Sequence, residues 1–202
     1  MTLAQAQRRQ QSREGIASVI ETRRLILRAP RLADAEAIAA VANDLRIAEN
    51  TARLPHPYGV KDAEAFVFEA SRGNCEAAFL ITLMSGEIVG VCGITTAERR
   101  GPELGYWVGA PHWGHGYATE AARALIGHAF TNQGHATLSA RVRVSNPASR
   151  RVLEKCGFQW SGVELRRIRA IASAAPFDRY QLDRGLWASI TDWGKTLARA
   201  HC

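Results

Sequence analysis

The 202-residue chain is long enough for one domain with a real core, and a hydrophobic content of 47% excludes a disordered composition. No apolar run is long enough to span a bilayer, and the Gln- and Arg-rich stretch Met1–Gly15 lacks the apolar segment of a secretory signal, so a cytoplasmic location with no membrane partner is expected. The net charge of +7, from 26 Lys and Arg against 19 Asp and Glu, admits nucleic acid, an acidic partner or a polyanionic small molecule.

Residues 1–20 show no apolar period and are expected to form a mobile arm ahead of a single domain over 21–202. Arg24–Arg28 alternates as a first strand, with Leu25 and Leu27 on one face. Asp34 is placed to cap a helix carrying Ile38, Val41, Ala42 and Leu45 at helical spacing. Leu54–Gly59 is a breaker-rich loop, after which Asp62 is read as the cap of a second short helix with Phe66 and Ala70 on one side. Ala77–Met84 and Ile88–Thr95 flank Ser85-Gly86 as a hairpin. Arg99–Pro102 breaks the chain before a strand over Leu104–Val108.

The clearest helix is Ala118–Gln133, with a stripe of Ala122, Leu125, Ile126, Ala129 and Phe130 and a stop at Gly134. Ala136–Val144 alternates strictly. Pro147 suits the first turn of a helix ending at Gly157, and Phe158–Val163 and Arg179–Leu182 are candidate last strands. This order, β-α-α-β-β-β-α-β-α-β-β, argues for an α+β (mixed α/β) fold: one mixed sheet with helices on both faces. Cys75, Cys92, Cys156 and Cys202 form no C-x-x-C pair and read as reduced, mostly apolar filler rather than metal ligands.

Between the Leu104 strand and the Ala118 helix lies Trp113-Gly-His-Gly-Tyr-Ala-Thr119. A pyrophosphate needs outward backbone N–H groups, no side chain in the way and a helix N-terminus behind it. Gly114 and Gly116 allow the approach, and the helix supplies partial positive charge. A Walker A loop is excluded, because no lysine follows, and the third glycine of a dinucleotide fingerprint is Thr119. Read alone, the segment is equally a turn whose glycines merely supply positive φ. A compact basic cluster follows it: Arg141, Arg143, Arg150, Arg151 and Lys155 stand against Glu154 alone between Ser139 and Lys155. That cluster suits a small phosphorylated ligand as well as it suits a duplex, but with no nucleic-acid reader motif in the chain a nucleic-acid partner is not expected.

Three ordered segments together resemble the GNAT superfamily of acetyltransferases. Trp113–Ala121 resembles its acetyl-CoA loop, whose core Q/R-x-x-G-x-G/A maps onto Trp113-x-x-Gly116-x-Ala118. Tryptophan at the first position is typical of the RimJ/RimL-like branch. Glu103–Val108 resembles the strand before the loop, and Asn146–Phe158 the branch's N-x-x-S…GF signature. The resemblance covers roughly residues 21–187. It implies a mixed, mostly antiparallel twisted sheet in which two parallel strands splay apart. It also implies acetyl-CoA as acetyl donor, with no metal.

The same resemblance suggests roles. Pantetheine would run along the backbone of Trp107 and Val108, and the pyrophosphate would rest on the amides from Gly114 through His115, Gly116, Tyr117 and Ala118 to Thr119, behind Trp113. Asn146 would bind pantetheine or simply cap its helix. Arg151, and with it Arg150, would reach the adenosine phosphates or remain solvated. Glu103 is the candidate general base, directly or through water, against the alternative of a surface carboxylate beside Arg99 and Arg100. Ser149 is the candidate donor to the leaving thiolate, against ordinary helix capping. Many relatives place a tyrosine four residues further on, where this chain has Leu153. His112 is a weaker alternative base. Asn50–Gly59 and Glu164–Phe177 would build the acceptor pocket, with Tyr58 and Arg167 as contacts. The Trp187–Trp193 tail would pack on the sheet or on a second subunit, which leaves a homodimer open.

The implied activity is transfer of an acetyl group to a primary amine by direct attack in a ternary complex, with a protein or peptide N-terminus as favoured acceptor. A small-molecule amine (amino acid, polyamine or antibiotic) and a non-catalytic acetyl-CoA-binding protein are the alternatives.

Overall fold

The computed structural model describes residues 19–72, 77–97 and 101–200, side chains at 97 and 194–200 excepted. Cys75, Cys202, Arg99 and Arg100 lie outside the described residues, as does nearly all of the segment expected to be an arm. A two-residue strand, β1 (Ile20–Glu21), begins inside that segment and pairs antiparallel with β2 (Leu25–Arg28), so the sheet starts at Ile20 rather than after it.

Among the described residues eight strands form one sheet. In space they run β1, β2, β3 (Ala77–Leu83), β4 (Ile88–Ala97), β5 (Gly101–Val108), β6 (Thr137–Arg143), β8 (Ser173–Asp183) and β7 (Gln159–Ile168). Every pairing is antiparallel except β5 with β6. The side-chain period of two divides the core between the faces. Phe79 and Ile81 pack in one cluster with α4 (Tyr117–Thr131), whereas Leu80 between them packs in the other with α1 (Ala35–Ala42) and α3 (Val60–Ser71). Leu80, Ile81, Leu125 and Ile126 are almost wholly removed from water, each side chain contributing about 1.5–3 kcal/mol. Helices therefore cover both faces.

Local chemistry moves three boundaries. The helix expected through Leu45 stops at Ala42. Asp44 then starts a one-turn helix, α2 (Leu45–Ala48), by accepting from the Arg46 amide at 2.8 Å, and Leu45 is left exposed. Asp34 stands at the N-cap of α1 but spends its carboxylate on Arg28 and the Arg31 amide. Asp62 is not a cap: Gly59 is, and Asp62, three residues on, accepts from the Gly59 amide at 3.0 Å. The last two strands are longer than their alternation suggested. Glu164–Phe177 is the distal half of a β7–β8 hairpin that turns at Arg169–Ile171.

Helix α5 (Pro147–Lys155) ends as expected at Gly157, whose φ of +89° suits the left-handed turn. Trp187, on α6 (Arg184–Ala200), rests against Phe130 at a ring distance of 5.3 Å, while Trp193 is exposed. Cys92 and Cys156 are free and buried, and burial pushes their thiols up to about 12 and about 11.

Candidate active site

The site begins where the sheet opens. β5 pairs with β4 along its whole length, from Gly101↔Ala97 to Val108↔Gly90. It pairs with β6 only at Glu103↔Ser139 and Leu104↔Ala140. Beyond Leu104 the two parallel strands part, because β6 continues in register with β8 while β5 stays with β4. The Gly109 amide donates to Val89 on the β4 side. Strand alternation then turns the ladder groups of Val108 and Tyr106 toward the gap. A cavity of about 850 Å³ occupies it, lined along β5 from Glu103 to Val108.

One end of this cavity is the glycine turn. Gly114 and Gly116 have φ of +80° and +79°, in the left-handed region, and Gly116 is the N-cap of α4. A Cβ on Gly114 would meet nothing, so the turn presents bare backbone. That cradle, in front of a 15-residue helix, suits a pyrophosphate. Trp113, Gly114, Gly116, Tyr117, Ala118 and Thr119 line the cavity; His115 does not. Its ring stacks on Tyr117 at 5.5 Å and its Nδ1 lies 2.9 Å from the Trp113 carbonyl oxygen. Trp113 closes the turn onto the strand: its indole N–H donates to the Val108 carbonyl at 2.6 Å, and the Arg46 guanidinium lies over its ring.

Arg24, which carried no sequence signal beyond its place at the edge of a strand, braces the same turn. It lies over the Tyr117 ring and pairs with Glu120 at 2.7 Å. Burial raises the Glu120 carboxyl, but hydrogen bonds from Thr22 and Arg24 outweigh it and hold the group below its ordinary range.

α5 forms the far wall. Asn146 is its N-cap and accepts from the Ser149 amide at 3.0 Å, while also lining the cavity. The cap leaves the Ser149 hydroxyl for another partner, which is Tyr106, with its phenol oxygen 2.8 Å away. Sequence reading passed over Tyr106, although it sits within the Glu103–Val108 segment and one position from Trp107. Burial lifts its hydroxyl above the ordinary value, partly offset by the Ser149 hydrogen bond. Arg151 lines the cavity. Arg150 instead turns to Asp178 at 2.7 Å and to the Val144 carbonyl, so it braces α5 against β8.

Glu103 lines the cavity where the gap begins, with both oxygens engaged: Arg141 donates to one at 2.5 Å and Arg166 to the other at 3.1 Å. Arg141 also pairs with Glu164 at 2.6 Å. Arg141, expected as part of a compact basic cluster, and Arg166, from the segment expected at the acceptor pocket, thus form the inner frame of the site. His112 lines the cavity 3.4 Å from Glu87.

At the acceptor end, both expected segments contribute: Asn50–Pro55 and Tyr58 from one, Arg166, Arg169 and Phe177 from the other. Tyr58 is buried, which pushes its hydroxyl up to about 12. Arg167 lies outside the cavity, because neighbouring strand residues face opposite ways, and lines a smaller adjoining one with Ala52, Arg169 and Ala172. Among the described residues no group of His, Cys, Asp and Glu is arranged to hold a metal ion, and no helix is long and apolar enough to cross a membrane.

Comparison with known proteins points the same way. A family model described as an acetyltransferase (GNAT) domain matches residues 24–159. The Bacillus subtilis (strain 168) protein named uncharacterized N-acetyltransferase YoaA is 30% identical over 152 residues, 72% of this chain and 85% of its own. Among solved structures, Mycobacterium smegmatis RimJ in complex with CoA-disulfide superposes with a TM-score of 0.73 at 25% identity, covering 85% of this chain and 90% of RimJ. The microcin C7 self-immunity acetyltransferase MccE, in complex with acetyl-CoA and AMP, shares the fold with a TM-score of 0.69 at 21% identity over 80% of this chain and 93% of MccE.

Proposed function

The chain belongs to the GNAT acetyltransferase family and is an N-acetyltransferase, and from that premise we propose that it acetylates a protein or peptide N-terminal amine in a ternary complex. The carrying observation is the single continuous cavity. It runs from the Gly114–Thr119 turn, past the β5–β6 gap, to the Asn50–Tyr58 loop and Phe177, so donor and acceptor meet without a covalent stop on the protein. The RimJ and MccE structures hold CoA-disulfide and acetyl-CoA on the same fold, which supports acetyl-CoA as the donor here.

Each residue then has a physical task. The turn amides from Gly114 to Thr119, backed by α4, hold the pyrophosphate, with Arg151 beside them. The β5 groups turned into the gap hydrogen-bond pantetheine as an added strand would. The carbonyl of Val108 already accepts from Trp113, so its N–H and the Tyr106 groups carry that pairing. Asn146 and the Ser149 hydroxyl border the thioester end.

Glu103 takes the amine proton, directly or through a water. Two guanidinium N–H groups occupy one lone-pair site on each of its oxygens, which leaves others open toward the cavity. The amine nitrogen forms the new bond to the acetyl carbon and the carbon–sulfur bond breaks. Ser149 donates its proton to the departing thiolate, with Tyr106 behind it to replace that proton.

The test is thiol release from acetyl-CoA over a panel of peptides and small amines, with Glu103→Gln and Ser149→Ala alongside. Peptides with free N-termini are expected to be the best acceptors, and both variants to lose ten- to a hundredfold or more in kcat. Faster turnover of small amines than of any peptide would remove the acceptor assignment. A normal rate in Glu103→Gln would remove the base.

A further inference from the structure

We propose that the acceptor end of the cavity selects an amine whose carrier bears an anionic group, a carboxylate or a phosphate, beyond the amine itself. The inference rests on the N-acetyltransferase reading and deepens it. Its basis is an imbalance of charge at the mouth.

Around Glu103 the charges are matched: Arg141 and Arg166 are shared between Glu103 and Glu164, while Arg151 and Lys155 line the α5 wall at the phosphate end. Arg46 is matched by Asp44, and Arg143 by Glu49. At the rim they are not. Arg53 lines the cavity and its guanidinium donates to a neutral hydroxyl, Thr95 Oγ1, at 3.0 Å. Arg169 lines it too, and its backbone amide donates to the Ala52 carbonyl at 3.2 Å, which ties it to the residue next to Arg53. Arg167, exposed, shares the adjoining cavity with Ala52 and Arg169. Among the described residues none of these three guanidiniums has a carboxylate partner. The acids on the cavity wall are already engaged: Asp62 holds the Gly59 amide and Glu69 has a partner of its own.

Two guanidiniums at the mouth, with Arg167 in the adjoining cavity that shares Arg169, repel a cationic carrier and offer bidentate donors to an anion. A polyamine would bring a second cation against Arg53 and Arg169, which have no carboxylate beside them to offset it. An amine followed by acid groups meets the opposite situation. Its amine enters toward Glu103, and its acid groups stay at the rim, where no desolvated charge has to be made. Each arginine that engages is worth roughly tenfold in acceptor discrimination.

The experiment measures kcat/KM by thiol release on matched acceptors. One arm uses peptides with the same free N-terminal residue followed by acidic, neutral or basic residues. A second uses ethanolamine against O-phosphoethanolamine, and an amino acid against its amide, to separate phosphate from carboxylate. The expected result is at least a tenfold preference for the acidic member in one arm. The acidic-to-neutral ratio should fall toward one in an Arg53→Ala/Arg169→Ala variant and invert toward basic carriers in Arg169→Glu. Equal rates for acidic and neutral carriers, or a preference that survives the double variant, overturn the inference. So does salt-dependent binding of duplex RNA or DNA that needs the three arginines while amine kinetics ignore them. Turnover of no amine at all sinks the acetyltransferase reading itself, whereas turnover without charge preference sinks only this inference.

Discussion

The Tyr106 hydroxyl lies 2.8 Å from the Ser149 hydroxyl and donates to the Ser149 carbonyl at 3.1 Å in one arrangement of its proton. This contact bridges β5 and α5 across the widening gap. It also bears on Leu153, which occupies the position where the family resemblance implies a tyrosine. Here a phenol reaches Ser149 from the strand.

Tyr106→Phe keeps the ring and removes the hydroxyl. Ser149 then loses the partner that orients its proton, worth about 1 kcal/mol for one hydrogen bond. A kcat lowered about five- to tenfold is expected, with the KM for acetyl-CoA held within about twofold. Steady-state thiol release reads both. A rise in KM with kcat intact would mean that the phenol binds pantetheine and does not serve Ser149.

The turn at Gly116 gives a second prediction. Alanine there would adopt a φ of +79° at a cost of about 1–2 kcal/mol, and its Cβ would sit 3.5 Å from Arg24 Nη2, an ordinary contact. Strain rather than collision is the penalty, and the chain relieves it by rotating amides away from the cradle. Calorimetric titration with CoA is expected to show roughly tenfold weaker binding for Gly116→Ala. Unchanged affinity would show that these amides do not hold the ligand.

What the sequence could and could not disclose follows from the range of the interactions. The α4 stripe, the β3–β4 hairpin and the glycine turn are local patterns, and each stands within a residue or two of its expected place. The β7–β8 hairpin was underestimated because Arg166, Arg167 and Arg179 blur its alternation; its extent is set by register with a neighbour. Arg167 belongs to the expected segment but lies outside the main cavity, a one-residue parity that cross-strand pairing decides. Tyr106 with Ser149, Arg141 with Glu103 and Arg24 with Glu120 join residues 38 to 96 positions apart. No periodicity reports such pairs.

Arg141 carries the third prediction. Its side chain is only 9% exposed and serves Glu103 and Glu164 together. Arg141→Met keeps much of the volume but leaves two carboxylates facing each other with Arg166 alone between them. Removing one partner of a buried pair typically costs about 3–5 kcal/mol, and the solvent reaching both glutamates brings the expectation to about 2–3 kcal/mol. Urea denaturation checks this. Arg166→Met, at a more exposed position, should cost less. The reverse order would place the weight of the network on Arg166.

Glu120 carries the last. Its carboxyl is held below the ordinary 4.5 in the folded protein, since the hydrogen bonds from Thr22 and Arg24 outweigh the opposing effect of burial. The unfolded chain therefore takes up this proton first as pH falls. The stabilising contribution is whole above about 4.5 and is lost as pH drops through the folded value. Glu120→Gln should lower Tm at pH 7, and the difference from the parent should shrink as the pH falls below 4.5 toward the lower folded value. Because Glu120 also fixes Arg24 over Tyr117, the same variant should loosen the glycine turn and weaken CoA binding at neutral pH. A Tm difference that stays constant down to acid pH would show that Glu120 acts through packing, not through its charge.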